Sequence, residues 1–222
     1  MTRVSIDAEL QAKCPRVALG CVIAEVETQT TAAAMEQELR ACEEKILQLP
    51  EPKAVLEAAA IEATRKAYKA LGKDPARYRG SAEALLRRTI AGKGLPRVNN
   101  VVDIINLVSV ESRLPIGLYD LDHVRGDLVF RAGRAGETYK GIGKYDLNLE
   151  GLPVFCDALG PHGSPTSDSE RTMVTEATER VLGIMVSFGG TPGLAAWTER
   201  MAGLLKEHAS AEKVESVVVT AS

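Results

Sequence analysis

The amino-acid sequence predicts an α+β fold in which a mixed sheet is packed by helices. Three observations indicate it: one β-branched apolar segment near the start, four consecutive helical segments before residue 112, and a second half of short strand-like segments separated by glycine-rich turns. This order differs from the regular alternation of strands and helices in a doubly wound α/β protein. With 222 residues, of which 45% are hydrophobic, the chain can bury a sizeable core, so we expect residues 1–222 to form a single domain.

The first 72 residues contain one predicted strand and two predicted helices. Val17–Val26 is apolar and rich in β-branched residues, which predicts a buried strand. Ala32–Leu49 has a helical composition and stops before a proline. A second proline opens the next predicted helix, Ala54–Leu71, which Gly72 ends.

Two further helices are predicted before the strand-rich half. Ser81 suits the N-cap of the first, because its hydroxyl can accept from a free backbone N–H. In the second, Val98–Glu111, apolar side chains cover most of the circumference, which is typical of a helix at the centre of a fold. Its polar residues Asn99, Asp103 and Asn106 form one stripe. Buried polar groups need partners, so the stripe either lines the floor of a pocket or ties down neighbouring loops.

The second half is predicted to consist mainly of short strands. These are Pro115–Asp120, Asp127–Arg131, Thr138–Ile142, Leu152–Phe155 and Leu182–Phe188. Thr191, followed by a proline, predicts the start of a final helix that runs to about His208. The valines at 217–219 favour a late strand at the edge of the sheet.

Charge and composition exclude several classes of protein. The net charge is −3 and aromatic residues make up 4%, which argues against a protein that binds nucleic acid over its whole surface. The four cysteines form no C-x-x-C pair, so a zinc site is not predicted from spacing and free thiols are expected. No segment is long and apolar enough to span a bilayer, and the N-terminus lacks the apolar stretch of a signal peptide. We therefore expect a cytoplasmic protein.

One stretch of 25 residues is locally basic. It contains Lys73, Arg77, Arg79, Arg87, Arg88, Lys93 and Arg97. Against the acidic whole-chain charge, this cluster is either an ordinary solvated surface with acidic partners or a site for RNA phosphates. The candidate RNA-binding residues are Arg77, Arg79, Arg87, Arg88, Lys93 and Arg97.

Several segments resemble the B3/B4 domain of the phenylalanyl-tRNA synthetase β subunit. These are Ala84–Arg88, Lys93–Asn106, Pro115–Asp122 and Ser169–Thr172, within a region of resemblance at 79–188. An N-x-V-V-D-x-x-N signature joined to P-x-x-x-Y-D-L-D carries the resemblance, which implies the B3/B4 fold. The strand and two helices ahead of this core, and the helix after it, are expected as extensions. We expect the domain to occur here as a separate protein, without the synthetase's catalytic core.

The resemblance implies an editing function. In the synthetase the domain acts as a second sieve that hydrolyses mischarged tyrosyl-tRNA, which adds discrimination that a synthetic pocket cannot supply alone. The main hypothesis is therefore a tRNA-interacting trans-editing deacylase that takes the aminoacylated 3′ end, with water as the nucleophile. No metal or redox cofactor is implied. The alternatives are a non-catalytic RNA- or protein-binding module and a small-molecule amino-acid binder.

One departure from the family pattern concerns a histidine. The synthetase domains carry it in a P-L-H-A-F-D stretch, which aligns with Pro115–Asp120 and places Gly117 at the histidine position. This loss favours the non-catalytic alternative, whereas the polar residues at 160–171 favour an active site. His162 would then supply the missing imidazole from the other wall of the pocket.

The candidate site is expected between the polar stripe and the 160–171 segment, read as a loop. That segment either presents hydroxyls, a carboxylate and backbone N–H groups to a ligand or is a solvated turn. The candidate catalytic residues are His162, Thr166, Ser167 and Asp168. The candidate substrate-binding residues are Asn99, Asp103, Asn106, Gly117, Tyr119, Ser164, Ser169 and Glu170.

Overall fold

The computed structural model describes residues 2–143 and 145–220. Its strands are β1 (Val4–Ile6), β2 (Ala18–Glu25), β3 (Ile116–Asp120), β4 (Leu128–Ala132), β5 (Thr138–Lys140), β6 (Asp146–Asn148), β7 (Pro153–Asp157), β8 (Gly160–Gly163), β9 (Arg180–Ser187) and β10 (Glu212–Thr220). Its α-helices are α1 (Ala8–Lys13), α2 (Ala33–Leu47), α3 (Ala59–Ala70), α4 (Ser81–Ile90), α5 (Asn100–Ser112) and α6 (Leu194–His208). Helices and strands are both abundant and do not alternate regularly, so the predicted α+β fold class is confirmed.

An antiparallel sheet of strand order β10–β2–β9–β3 forms the middle layer. β2 is an interior strand, hydrogen-bonded to β10 on one side and β9 on the other, as its apolar sequence predicts. Successive side chains of β2 point to opposite faces, so Ala18 and Val22 join one hydrophobic cluster while Leu19 and Cys21 join another. The sheet therefore separates two cores, and the predicted edge strand at 217–219 is β10.

Helices cover one face of this sheet, and α5 is the central one. Val101, Ile104, Leu107 and Val108 are each 0% exposed, which confirms the helix predicted from its apolar circumference. α5 contacts α2, α4 and α6. It ends at Arg113, which has a left-handed backbone conformation with φ 65°.

A smaller mixed sheet covers much of the other face. Its strand order is β1–β4–β7–β8, with β1 parallel to β4 and the remaining pairs antiparallel. The stacked rings of Phe130 and Phe155, with centroids 4.3 Å apart, lie in the core between the two sheets. α3 adds Tyr68 to the same core. The short β5–β6 hairpin completes the fold.

Three predicted helix boundaries are wrong. The helix predicted over 54–71 is split into a 3₁₀ helix at Pro52–Glu57 and α3, because Ala58 has an extended conformation with ψ 139°. Gly80, not Ser81, is the N-cap of α4, since the Ser81 hydroxyl instead accepts from Ile116 N at 3.3 Å. At α6 the N-cap is the left-handed Gly193 in place of the predicted Thr191.

Four short elements are absent from the sequence prediction. They are β1, α1, β6 and β8, each of three to six residues. Segments this short carry too few side chains to show a helical or strand period. Their placement comes from pairing with distant parts of the chain, as when β1 joins β4 across more than 120 residues.

The four cysteines are unpaired thiols, and burial raises the pKa of each of them. Among residues 2–143 and 145–220, no helix combines the length and apolar character needed to cross a membrane.

Asn100 anchors the first turn of α5 to two other segments. Its side-chain oxygen accepts from Gln29 N at 2.9 Å, and its amide donates to Glu27 O at 2.9 Å and His208 O at 3.0 Å. Asn100→Ala should lower the free energy of unfolding by about 2–3 kcal/mol, because it removes three hydrogen bonds of a buried side chain to partly buried backbone groups. Urea titrations would measure this.

Asn106→Ala is the matched control on the same helix. The Asn106 side chain is half-buried and makes no hydrogen bond within the described residues. Its loss should cost less than about 1 kcal/mol. Equal destabilisation by the two variants would show that Asn100 does not act through its hydrogen bonds.

Candidate functional site around residues 160–172

The segment predicted as a loop over 160–171 is more ordered than expected. It begins as β8, continues as a turn at Ser164–Ser169 and ends in a 3₁₀ helix at Glu170–Thr172. The β5–β6 hairpin lies against it through a bridge between Gly141 and Ser169. Thus the segment is fixed from two sides by backbone pairing.

Ser164 organises the turn from within. Its Oγ accepts from Thr166 N at 3.3 Å and Ser167 N at 3.1 Å, and donates to Ser167 O at 2.8 Å. The backbone N–H groups of Thr166 and Ser167 therefore already have partners. Contrary to the sequence interpretation, these two groups are not free to bind a ligand, and the donors that the turn can offer are hydroxyls.

Three buried tyrosines hold three consecutive residues of the turn. Tyr68 OH lies 2.7 Å from Thr166 Oγ1, Tyr139 OH donates to Ser167 O at 2.5 Å, and Tyr119 OH donates to Asp168 Oδ1 at 3.0 Å. They come from α3, β5 and β3, so three separate elements fix the turn. Burial raises the pKa of all three phenols, which keeps them protonated at neutral pH.

Asp168 presents an oriented and half-exposed carboxylate. Besides the Tyr119 hydroxyl, it accepts from Leu118 N and Ser164 N, each at 3.3 Å. These donors come from β3 and from the turn itself. Thr166, Ser167 and Asp168 therefore place two hydroxyls and a carboxylate side by side, each in a half-buried position.

His162 lies behind the turn and is 0% exposed. Its ring makes an edge contact with Tyr119, with centroids 4.6 Å apart, and its Nδ1 is 3.3 Å from Thr172 Oγ1. His162 Nε2 and Ser169 Oγ are buried without hydrogen-bond partners among the described residues. Burial lowers the pKa of His162 from 6.5 to about 4, so the imidazole is neutral at pH 7.

The ring of Tyr119 fills the space next to Gly117. A Cβ atom added at Gly117 would overlap the Tyr119 phenol, and one added at Gly163 would overlap the same ring. A side chain at Gly117, the position where the family carries a histidine, would therefore fit only if the Tyr119 ring moved out of this space.

The polar stripe of α5 is separated from the turn by the central sheet. Asn99 caps α5 by accepting from Val102 N at 2.9 Å, and Asp103 accepts from Thr31 Oγ1 at 2.6 Å and Val98 N at 3.0 Å. α5 packs in the core on one face of the sheet, whereas Tyr119 lies in the core on the other. The expected pocket between the stripe and the segment 160–171 is not formed, because their side chains lie in different layers.

Other predicted site residues lie at the rim of the turn or in its interior. Ser164 and Ser169 are buried, and Glu170 is exposed and paired with Lys140 at 2.9 Å. Asn106 remains on α5 with the stripe. The structure thus brings together the 162–170 residues, Tyr119 and Gly117, and leaves Asn99, Asp103 and Asn106 apart.

The predicted basic cluster is divided by acidic partners. Arg97 binds Glu36 at 2.6 Å and Glu43 at 3.0 Å. Arg79 and Arg87 both face Glu83. Lys73 and Arg77 lie over the ring of Tyr78, and Arg88 and Lys93 are exposed.

Cavity volume alone would favour a different site from the turn. An open groove of about 690 Å³ lies between α1, α3 and the start of α6, with Lys13, Lys66 and Trp197 on its walls. None of the candidate catalytic side chains lines it. We place the candidate site at the turn, because tyrosines there orient the Thr166 hydroxyl and the Asp168 carboxylate, whereas the groove wall on α3 consists largely of alanine side chains.

Glu38, Glu207 and His208 form a group close enough to hold a metal ion, with ligand atoms within 4.8 Å of one another. Arg200 already binds Glu38 at 2.8 Å, and His208 Nε2 lies 3.0 Å from the same carboxylate. A resident arginine repels a cation, so these contacts favour a structural ion pair.

Sequence reasoning missed Tyr68, Tyr139 and Arg65. The two tyrosines hold the turn, and Arg65 binds Glu83. Nothing local marks them, since Tyr68 is 98 residues from its partner and Tyr139 is 28 residues from its own.

Gly117→Ala should lower the free energy of unfolding by about 1–3 kcal/mol, because the added methyl group displaces the buried ring of Tyr119. The control is Gly203→Ala on α6, where an added Cβ would meet nothing within 4 Å and should stabilise the helix by up to about 1 kcal/mol. Thermal unfolding would compare them. A neutral Gly117→Ala would show that the ring does not constrain this position.

His162 should make stability fall as the pH drops below about 6.5. Its pKa is lowered in the folded state, so between about pH 6.5 and 4 only the unfolded chain binds the proton. The contribution is fully present above this window, and about 2 kcal/mol of it should be lost between pH 7 and pH 5. Urea unfolding of wild type and His162→Gln at both pH values would isolate it. An equal loss in the variant would contradict the assignment.

Comparison with known proteins identifies a solved structure of similar fold. The structure resembles an N-terminal fragment of the phenylalanyl-tRNA synthetase β-subunit from Pyrococcus horikoshii, with a TM-score of 0.52 and 17% identity. The match covers 99% of this chain and 52% of that fragment, and at this identity it shows a shared fold.

Sequence relatives carry the name phenylalanine–tRNA ligase β subunit. The protein from Paramagnetospirillum magneticum is 31% identical over 104 residues, which are 46% of this chain and 13% of that protein. The one from Bartonella henselae is 35% identical over 92 residues, 40% of this chain and 11% of that protein. The chain thus spans only about an eighth of the length of these relatives.

A family model described as the B3/4 domain matches residues 63–192, more than half of the chain. This match takes in most of α3, the whole of α4 and α5, and all the residues of the turn. The resemblance read from the motifs is confirmed, and the chain belongs to the B3/4 domain family.

Proposed function

We propose that this protein binds tRNA and hydrolyses the ester of a mischarged aminoacyl-tRNA, as a trans-editing deacylase. The observation that carries the proposal is the turn at Thr166–Asp168 within the family-matched region. There three tyrosines hold the Thr166 hydroxyl, the Ser167 backbone carbonyl and the Asp168 carboxylate. The named relatives are ligase subunits that act on a tRNA, which supports an RNA partner with an aminoacylated 3′ end.

Water is the nucleophile in this proposal. It attacks the ester carbonyl carbon, the bond to the ribose oxygen breaks, and the water proton passes to that oxygen, which gives a free amino acid and a tRNA hydroxyl. The Asp168 carboxylate orients the water or pairs with the α-ammonium of the amino acid. The hydroxyls of Ser167 and of the Thr166–Tyr68 pair donate to the developing oxyanion.

His162 acts indirectly in this scheme. Its ring is buried behind Tyr119, so it does not touch a substrate bound at the turn. It supports Tyr119, whose hydroxyl orients Asp168. The imidazole is therefore a positioning group and, being buried, does not supply the missing imidazole from the other wall of a pocket.

The alternative function is a non-catalytic RNA- or protein-binding module. Two observations favour it: two backbone N–H groups of the turn already have partners, and Gly117 leaves no room for the family's histidine. A binder of free amino acids would use the same turn without RNA.

In α4 and the loop after it, Arg88 and Lys93 have no ion-pair partner among the described residues. These two cations are the first choice for RNA binding. Arg88 and Lys93 are exposed, whereas Arg97 is bound by two glutamates. Arg77 and Arg79 extend the same basic surface before α4. Arg87 belongs to the cluster around Glu83.

Single-turnover deacylation against a panel of mischarged aminoacyl-tRNAs tests the proposal. Asp168→Asn and Ser167→Ala should each lower the rate about 10²–10³-fold, because each removes a group that orients the water or the oxyanion. Glu176→Gln, which changes an exposed carboxylate outside the candidate site, is the control and should retain the full rate.

The outcomes separate the three functions. Full activity in both turn variants, with unchanged tRNA affinity, would remove the turn from the mechanism. A wild type that binds tRNA and deacylates no substrate would favour the binding module. Amino-acid binding without any tRNA affinity would favour the third function.

A further inference from the structure

Three arginines converge on one buried carboxylate, that of Glu83. Arg65 binds both of its oxygens, at 2.9 and 2.8 Å, and Arg87 donates to Oε1 at 2.8 Å. Arg79 lies 3.8 Å from the same oxygen. The Glu83 side chain is 5% exposed, whereas the three arginine side chains are 31–46% exposed. The carboxylate is thus interior, and the guanidinium groups surround it at the surface.

The cluster has more positive charge than burial of Glu83 requires. Glu83 neutralises one of the three guanidinium charges, so these four residues carry a charge of +2 on a chain whose net charge is −3. Glu57 and Glu62, which also attract Arg65, offset part of this charge. Burial alone would raise the pKa of Glu83, but the hydrogen bonds from Arg65 and Arg87 keep it below the ordinary value. Glu83 therefore stays ionised at neutral pH and keeps its arginines in a fixed arrangement.

Arg65 on α3 and Arg87 on α4 belong to helices that also contact the turn, and Arg79 directly precedes the N-cap of α4. On α3, Arg65 lies three residues before Tyr68, the residue whose hydroxyl contacts Thr166. On α4, Glu83 lies two residues after Ser81, whose N–H donates to Pro165 O at 2.7 Å. The cluster is therefore adjacent to the turn along both helices.

We propose that Arg65, Arg79 and Arg87, oriented by Glu83, bind backbone phosphates of the RNA and thereby set its aminoacylated end over the turn. This rests on the proposed function. Guanidinium groups suit phosphate because they present a planar pair of donors, and those held by a buried anion lose little side-chain entropy on binding. An acidic protein surface is the other polyanion that such a cluster would attract.

The test replaces Arg79 and Arg87, each of which contacts a single oxygen of Glu83. Arg79→Ala/Arg87→Ala leaves Glu83 with its bidentate Arg65. The double variant should bind tRNA at least tenfold more weakly at low salt. Its salt slope, log K against log [salt], should be smaller by about 1.4–1.8, because each lost phosphate contact removes about 0.7–0.9.

Arg180→Ala/Lys213→Ala is the charge-matched control. Each of these exposed cations also pairs with one carboxylate, on Asp122 or Glu25, and both lie on other elements. This variant should bind tRNA within about twofold of wild type with an unchanged slope. Circular dichroism of all variants would establish that they are folded.

Glu83→Gln examines the fixed geometry. The substitution raises the positive charge of the cluster by one but removes the anion that orients the three guanidinium groups. If their fixed arrangement matters, tRNA binding should weaken about threefold or more. Tighter binding would overturn the role of Glu83, because summed charge alone would then explain the attraction.

Unchanged affinity and slope in the double variant, with tRNA still bound by wild type, would overturn the inference and leave the proposed function standing. A wild type that binds no tRNA would overturn both. Binding of polyglutamate, but not of tRNA, would assign the cluster to an acidic protein partner and overturn the RNA assignment.

Discussion

The position of the Tyr119 ring constrains everything around the candidate site. The phenol lies against Gly117 and Gly163, where neither residue has room for a side chain, and it packs edge-on against His162 with centroids 4.6 Å apart. Its hydroxyl then donates to Asp168. The Tyr119 side chain thus leaves no space for a histidine at position 117, covers the ring of His162 and orients the carboxylate of Asp168. Because protein interiors are close-packed, these three effects cannot be changed independently.

The central sheet gives the polar residues of this chain two different roles. On its helical face, Asn99, Asn100 and Asp103 satisfy backbone and hydroxyl donors of neighbouring segments and fasten α5 in place. On the other face, similar side chains belong to a turn that reaches solvent at Thr166–Asp168. A buried polar residue whose hydrogen bonds all return to its own fold is structural, whereas a half-exposed one held by buried donors can also meet a ligand.

The fold was largely predictable, and the site only in part, for a physical reason. The circumference of α5 and the apolar run of β2 are local patterns, and local patterns report which face of an element is buried. They do not report which faces meet across a sheet. The sequence therefore predicts one pocket between the stripe on α5 and the 160–171 segment, whereas the structure places the two on opposite faces of the sheet. Likewise, the sequence makes Arg97 a candidate RNA-binding residue and does not reveal its partners Glu36 and Glu43, because these lie 61 and 54 residues away. The motifs found the turn itself, but the tyrosines that fix Thr166 and Ser167 come from segments without any motif.

Ester hydrolysis at such a turn depends more on position than on a strong base. The aminoacyl ester is an activated bond, and the water that attacks it needs an acceptor, while the carbonyl oxygen needs donors that are already oriented. Asp168 is held by Tyr119, Leu118 N and Ser164 N, so its orientation costs nothing when a substrate arrives. In the proposed RNA contact the Glu83 cluster would follow the same principle, because its buried anion already fixes the guanidinium groups of Arg65 and Arg87. Arg65, Glu83 and Arg87 lie on α3 and α4, and the same two helices contact the turn at Thr166 and Pro165. An RNA contact at the arginines would therefore place the RNA end near the Asp168 carboxylate and the Thr166 hydroxyl, which the tyrosines already orient.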